Sequence, residues 1–208
     1  EVELSDGRRL SAERLLVATG RHVDLKVLGV TEIGVDETAR AIPVDDQMRV
    51  SDGVWAVGDI TGNGPFTHVA IYQAEIAVDS ILGKGTRRAD YHALPYVTFT
   101  DPEVGVVGLT EAEAREQGIR VRIGQQQVPR TARGWMHKVG NEGFIKLIED
   151  ADRGVLVGAT SMGPTGGEVL GLLAAAVHAA IPVQTLREMI YAYPTIHRGV
   201  EDALRDLS

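Results

Sequence analysis

Three features of the 208-residue chain predict an α+β fold. The second half alternates strand-length apolar runs with helix-capping signals. It also holds a strongly apolar helical stretch rich in small residues, Glu168 to Ala180. The first half ends in a strand, a Gly-Asp pair, a Gly-rich loop and a helix, the order expected at the edge of an α/β region. Between the halves, Gly83 to Arg88 is small, basic and without apolar period, and reads as a linker. The expected division is therefore residues 1–90 and residues 91–208.

Taken in order, Val2–Leu4 and Arg9–Leu10 flank Asp6-Gly7, a hairpin signal. Leu15 to Ala18 is a short continuous apolar run, the pattern of a strand buried on both faces of a parallel sheet. Residues 22–53 lack helical period and are punctuated by Pro43, Asp45-Asp46 and Ser51-Asp52-Gly53. Val54 to Val57 is a second buried-strand candidate, stopped by Gly58-Asp59. Val69, Ile76 and Ile81 then recur at near-helical spacing, with Gly83 as the stop. Strands are expected at 97–100, 104–108 and 121–128. Thr110 and Glu113 form a capping box for a helix ending at Gly118. A hairpin is expected from 143–149 and 155–161. Glu168 to Ala180 is apolar all round, which requires cover by the domain core or by another subunit. Short helices follow near 185–190 and 196–207.

Composition excludes several function classes. A formal charge of −8 argues against nucleic acid as the main partner, since phosphate binding needs clustered Lys and Arg. No apolar run reaches the roughly 18 residues of a membrane span, and no signal peptide is visible, so a cytoplasmic protein is expected. With no cysteine there is no disulfide, thiolate metal site or cysteine nucleophile in this chain. The six histidines show no H-x-x-x-H or H-E-x-x-H spacing, and no metal site is expected. The opening Glu1, already in a strand-like run, reads as the start of a fragment.

The chemistry concentrates around Gly58-Asp59. A carboxylate at a strand's C-terminal edge accepts hydrogen bonds from sugar or ribityl hydroxyls, and a preceding glycine lets a ligand approach the backbone. The helix behind it, starting near Thr67, offers unpaired N–H groups and a positive dipole end to a negatively charged ligand atom. A Gly-Asp pair alone is more often an ordinary βα turn.

This pair is not alone. V-W-A-V-G-D-I-T-G (54–62), followed by T-H-V-A-I-Y-Q-A-E-I-A (67–77), resembles the second flavin motif of the pyridine nucleotide–disulfide oxidoreductases. That family includes dihydrolipoamide dehydrogenase, glutathione reductase and mercuric reductase. L-L-V-A-T-G-R (15–21) resembles its A-x-G-R turn, and V-T-F-T-D-P-E-V-G-V-V-G-L-T-E-A-E-A (97–114) the start of its dimerisation domain. Y-A-Y-P-T-I-H (191–197) resembles its H-x-H-P-T segment. The resemblance implies residues 1–90 as the C-terminal part of an FAD/NAD(P)-binding α/β region. It implies 91–208 as a dimerisation domain with a mainly antiparallel sheet, and hence a homodimer. Asp59 would hold a ribityl hydroxyl of FAD. Thr19, Gly20, Gly58, Thr67, His68, Val69 and Ala70 would line the cofactor, His68 through its backbone rather than its imidazole.

The departures bear on the reaction. In disulfide-reducing members, a His before the Pro of H-P-T acts as acid/base, oriented by a Glu five positions later. Here those positions hold Tyr193 and Arg198. A tyrosine hydroxyl ordinarily titrates near about 10, too high for an efficient base at neutral pH. Tyr at this place resembles the soluble pyridine nucleotide transhydrogenases, and mercuric reductases also lack this His. His197 and Glu201, four apart on the last helix, form either a substitute acid/base pair or a surface ion pair. The candidate catalytic residues are Tyr193, His197 and Glu201.

Arg130, Arg133 and Lys138 around Trp135 read as a solvated loop, with anionic-substrate contact the alternative. Gly163 to Gly167 lacks a P-loop's Lys-Ser/Thr tail and fits a turn. No G-x-G-x-x-G occurs. The resemblance places both dinucleotide fingerprints, FAD and NAD(P)H, upstream of this stretch. The chain alone is expected to bind neither cofactor tightly; residues 93–208 are expected to fold as one α+β domain, and residues 1–85, cut off from their sheet partners, to be partly disordered or rearranged. The two readings are part of a flavoenzyme that passes hydride from NAD(P)H to FAD and on to a disulfide, a metal ion or another small-molecule acceptor such as a second nucleotide, and a non-catalytic homodimerisation module.

Overall fold

The structure, a computed structural model, describes residues 1–208. It comprises two compact units, residues 1–89 and 90–208.

The first unit is sparse in regular structure. A hairpin pairs β1 (Val2–Glu3) with β2 (Arg9–Leu10), and the Asp6 carboxylate accepts from the Arg8 backbone N–H at 3.0 Å within the turn. A second hairpin pairs β3 (Arg49–Ser51) with β4 (Val54–Trp55). The one long helix is α1 (Thr67–Ile81). Two small apolar clusters hold the unit. One gathers Leu25, Val30, Val35 and Ile42, and the other packs Met48 against Ile76 and Ala77 of α1.

Two sequence expectations fail here. Leu15 to Ala18 forms no strand, and Leu15, Leu16 and Val17 are exposed. Val54 to Val57 is not a buried parallel strand. Only Val54 and Trp55 pair, antiparallel to β3, and Val57 is exposed. Both runs carry the pattern of a strand flanked on two sides, but within residues 1–89 the first has no strand partner and the second has β3 alone. Residues 26–28 and 30–33 form 3-10 turns where extended pieces were expected.

The second unit is a five-stranded antiparallel sheet with helices, as the sequence predicts. Its strands are β5 (Pro95–Thr98), β6 (Glu103–Gly108), β7 (Val121–Gln127), β8 (Phe144–Asp150) and β9 (Val155–Gly163), in the order β5-β6-β9-β8-β7. Between β6 and β7, α2 (Glu111–Glu116) starts at the capping box, with the Thr110 hydroxyl accepting from the Glu113 N–H. Between β7 and β8 lies α3 (Ala132–His137), where sequence reasoning placed a loop. After β9 come α4 (Gly166–His178), α5 (Val183–Glu188) and α6 (Arg198–Arg205).

Strand alternation assigns the faces. Val107, Ile145, Leu147, Leu156 and Ala159 meet α4 and α6 in the main core. Ile148, Val157, Val121 and Ile123 point the other way, toward Ala114 of α2. α4 buries Val169, Leu170, Leu173, Ala176 and Val177, but Gly171 and Ala175 face outward. It is therefore one-sided within this chain.

α6 lies unusually close to β7. A Cβ added to Gly124 would sit 2.1 Å from the Ala203 carbonyl oxygen, so only glycine permits the approach. The contact is fastened by polar bonds: the Asp206 carboxylate accepts from the Gln125 N–H at 2.9 Å, and Arg187 of α5 donates to the Leu204 carbonyl at 2.6 and 3.0 Å.

Gly124→Ala is expected to destabilise the second unit by about 1–3 kcal/mol, because α6 must back away from β7. Thr110→Ala should cost about 1 kcal/mol through the lost cap. Denaturant unfolding followed on residues 90–208 checks both. A Gly124→Ala protein as stable as the parent contradicts the close-packing account.

Candidate functional site

Residues of the first unit are organised around the turn from β4 to α1. Gly58 adopts φ 83° and ψ −158°, a backbone region essentially reserved for glycine. Its N–H donates to the Gln73 Oε1 at 2.6 Å. Gln73 Nε2 donates to the Thr61 hydroxyl at 3.0 Å, and that hydroxyl donates back to the Gly58 carbonyl at 2.9 Å. Gln73 is fully buried on the face of α1 that also buries Val69, Ile76 and Ala77. The amide thus satisfies both ends of the turn and fastens it to the helix.

Asp59 follows at the start of a 3-10 turn, its side chain 40% exposed. Arg21 lies 2.8 Å from its carboxylate and also donates to the Pro65 carbonyl at 2.8 Å. One guanidinium therefore joins three segments: the Thr19-Gly20-Arg21 turn, the Gly-Asp turn and the residue before Phe66. Thr19 and Gly20 themselves are exposed. α1 starts at Thr67 with no side-chain cap on its first turn. Thr67 and His68 are exposed, Val69 is buried, Ala70 is partly buried, and the His68 ring stacks on Phe66 at 5.3 Å. A Cβ built on Gly58 would lie 3.5 Å from the Ala70 Cβ, so the turn sits against the helix's opening.

In the second unit, Tyr193 is 72% exposed. Thr195 tightens the turn after it, donating to the Ala192 carbonyl at 2.7 Å and accepting from the Arg198 N–H at 3.2 Å. His197 caps α6 without a side-chain bond. The expected pairing of His197 with Glu201 is absent. Glu201, 13% exposed, is instead gripped by Arg198 and Arg205 from the same helix. Two guanidinium forks one turn either side take the carboxylate in place of the imidazole. Neighbouring Tyr191 is buried, donates to the Leu186 carbonyl at 3.0 Å, and burial pushes its hydroxyl above the ordinary value of 10.0. The pattern Y-A-Y therefore splits into one structural and one exposed tyrosine. No group of three or more His, Asp or Glu residues is arranged to hold a metal ion. No helix is long and apolar enough to cross a membrane.

Sequence reasoning missed two residues. Arg21 was read only as the end of a turn motif, with no hint of its partner 38 positions on. Gln73 carried a legible signal: a polar residue in phase with Val69, Ile76 and Ala77 on the apolar face.

In sequence, a glycine–aspartate turn set against a helix opening precedes an antiparallel five-stranded domain. The comparisons supply the class. The family profile "Pyridine nucleotide-disulphide oxidoreductase, dimerisation domain" matches residues 94–204, and the profile "Pyridine nucleotide-disulphide oxidoreductase" matches residues 1–74. The chain belongs to the pyridine nucleotide-disulphide oxidoreductase family.

Dihydrolipoyl dehydrogenase 2 of Haloarcula marismortui is 34% identical over 93% of this chain and 41% of its own length. Dihydrolipoyl dehydrogenase of Pseudomonas aeruginosa is 32% identical over 97% of this chain and 44% of its own length. Among solved structures, LpdA from Mycobacterium tuberculosis superposes with a TM-score of 0.84 at 26% identity, covering 98% of this chain and 44% of that one. A Cu(II) complex of the HOCl-induced flavoprotein disulfide reductase RclA from Escherichia coli gives 0.83 at 28% identity, covering 97% and 46%. The chain thus spans well under half the length of these relatives.

The residues present fit a flavin. Gly58 presents backbone without a Cβ, and the Asp59 carboxylate has several lone pairs, of which Arg21 engages one side. The N-cap residue of α1, Phe66, contributes no side-chain hydrogen bond to the helix start.

Gln73→Leu is expected to cost about 1–3 kcal/mol, since it leaves the buried Gly58 amide without its acceptor. Amide hydrogen exchange should show Gly58 exchanging at least about tenfold faster. An unchanged Gly58 rate would mean that the turn is held by something else.

Proposed function

We propose that this chain is the flavin-facing and subunit-pairing portion of an FAD-dependent NAD(P)H oxidoreductase. Residues 1–90 then form the end of the FAD/NAD(P)-binding region, and residues 91–208 the dimerisation domain. Bound FAD would supply hydride acceptance from NAD(P)H and onward transfer to a small-molecule electron acceptor. The observation that carries the reading is the Arg21–Asp59–Pro65 junction against the uncapped start of α1.

In this reading each group has a physical task. Asp59 accepts from a ribityl hydroxyl while Arg21 fixes the carboxylate's orientation. Gly58, Thr19 and Gly20 let the ligand approach the backbone, and Thr67, His68, Val69 and Ala70 present the helix's positive end to the ring's electron-rich edge. Tyr193, exposed where disulfide-reducing relatives carry an acid/base His, contacts the acceptor or donates to it rather than serving as a neutral-pH base. His197, four residues on, is not the partner of Glu201, which is engaged by Arg198 and Arg205 of its own helix instead of taking part in proton transfer.

The partner is a second copy of the chain. The family's dimerisation-domain match supports this, as do the exposed Phe99, Trp135, Val139 and Ile190 in the second unit. Sedimentation of the chain should report a dimer at micromolar concentration; a monomer throughout that range contradicts the pairing.

The catalytic reading is tested in a protein extended to the length of its relatives. Asp59→Asn should lower the flavin retained on purification about tenfold, consistent with loss of one charge-assisted hydrogen bond. Tyr193→Phe should keep its flavin but lose roughly 10²-fold in turnover. Full flavin retention in Asp59→Asn would reject the ribityl contact, and unchanged kinetics in Tyr193→Phe would reject that residue's role.

A further inference from the structure

The second unit contains a cavity of about 380 Å³ at the end of the sheet where β9 begins and β6 ends. Neither Tyr193 nor Thr195 lines it. The cavity is apolar over Leu109, Ile119, Leu156 and Val177. Its size falls in the range of small-molecule pockets, which pair an apolar body with a few placed polar groups.

The polar groups here are His92, Gln117 and Arg153, and no carboxylate lines the space. Arg153 reaches its nearest acid, Asp150, only at 3.9 Å and is 62% exposed, so its fork is held loosely. Asp150 is itself occupied, accepting from the Asp152 and Arg153 N–H groups at 3.0 and 3.2 Å. Asp152 is paired with Arg120. His92 is oriented from two sides. Its Nδ1 lies 2.7 Å from the Asp90 carboxylate, and its ring stacks on His178 at 5.7 Å with 15° between planes. The His92 backbone N–H, and then its ring, hold the Asp90 carboxyl below its ordinary range. The imidazole is therefore fixed at the rim by groups that do not line the cavity.

We propose that this cavity is a binding site for a small amphiphilic carboxylate, with Arg153, His92 and Gln117 taking the carboxylate and the apolar lining taking an aliphatic body of about six carbons. A guanidinium fork matches a carboxylate with two parallel charge-assisted hydrogen bonds, whereas an alcohol of the same length can accept only a neutral one and an ammonium, cationic and without an acceptor, gains nothing from it. The site is independent of the flavin reading: every residue it uses lies within residues 90–208, and Tyr193 is not among them.

The test uses the 208-residue chain and hexanoate, followed by two-dimensional amide NMR. Hexanoate should bind saturably, with shifts concentrated at His92, Gln117, Arg153 and Ala180. Hexan-1-ol and hexylamine should bind at least about tenfold more weakly. Arg153→Gln, at an exposed position, should weaken hexanoate about tenfold, and Arg133→Gln, on exposed α3, should leave it unchanged. The proposal is overturned if hexanoate shows no saturable shifts at tens of millimolar, if hexan-1-ol binds equally well, or if Arg153→Gln and Arg133→Gln behave alike.

Discussion

The buried amide of Gln73 is the interaction on which the first unit's chemistry rests. It accepts from the Gly58 N–H and donates to the Thr61 hydroxyl from a fully buried position on α1. An apolar residue there would suit the helix face equally well but would strand a buried backbone donor. Because Gln73 ties the turn to α1, Asp59 and the opening of the helix move as one piece. Arg21 adds the third segment, so a carboxylate, a glycine without a Cβ and an uncapped helix start converge within residues 19–70. Preorganisation of this kind makes a loop serve as a cofactor edge.

The second unit depends on a different constraint, the closeness of α6 to β7. Gly124 permits it, and the Gln125–Asp206 and Arg187–Leu204 bonds secure it. Glu201 belongs to this scaffold. Held between Arg198 and Arg205, it stabilises the helix's own surface and leaves the exposed Tyr193 as the reactive candidate of the tail. In the proposed reading, Arg198 stands five residues after Tyr193, where an imidazole at 193 would need a carboxylate to orient it.

Much of the second unit was legible because its elements satisfy themselves. The capping box at Thr110–Glu113 and the hairpin of β8 and β9 each carry their stabilising partners in nearby sequence, whereas α4, which reads as apolar all round, exposes Gly171 and Ala175 within this chain. The helix α3 was not legible: Arg133-Gly134-Trp135 shows no apolar period, and its cap is a single Thr131 hydroxyl accepting from Gly134 at 3.0 Å. The first unit misled where pattern presumes neighbours. Leu15 to Ala18 has the composition of a central strand, yet a strand's burial comes from what flanks it, and nothing in residues 1–89 does so. For the site, Gly58-Asp59 and the start of α1 could be read directly. The Arg21–Asp59 pair could not, since a long-range ion pair leaves no periodic trace.

Membership of the pyridine nucleotide-disulphide oxidoreductases and the antiparallel dimerisation fold agree with this picture, and the flavin contact is its central claim. The most direct measurement is a crystal structure of the relative-length protein with FAD bound. The account predicts a ribityl hydroxyl at about 2.5–3.0 Å from the Asp59 carboxylate, with the first turn of α1 facing the ring. A flavin bound with Asp59 still engaged by Arg21 alone, and no ligand atom within hydrogen-bonding reach of it, would contradict that claim.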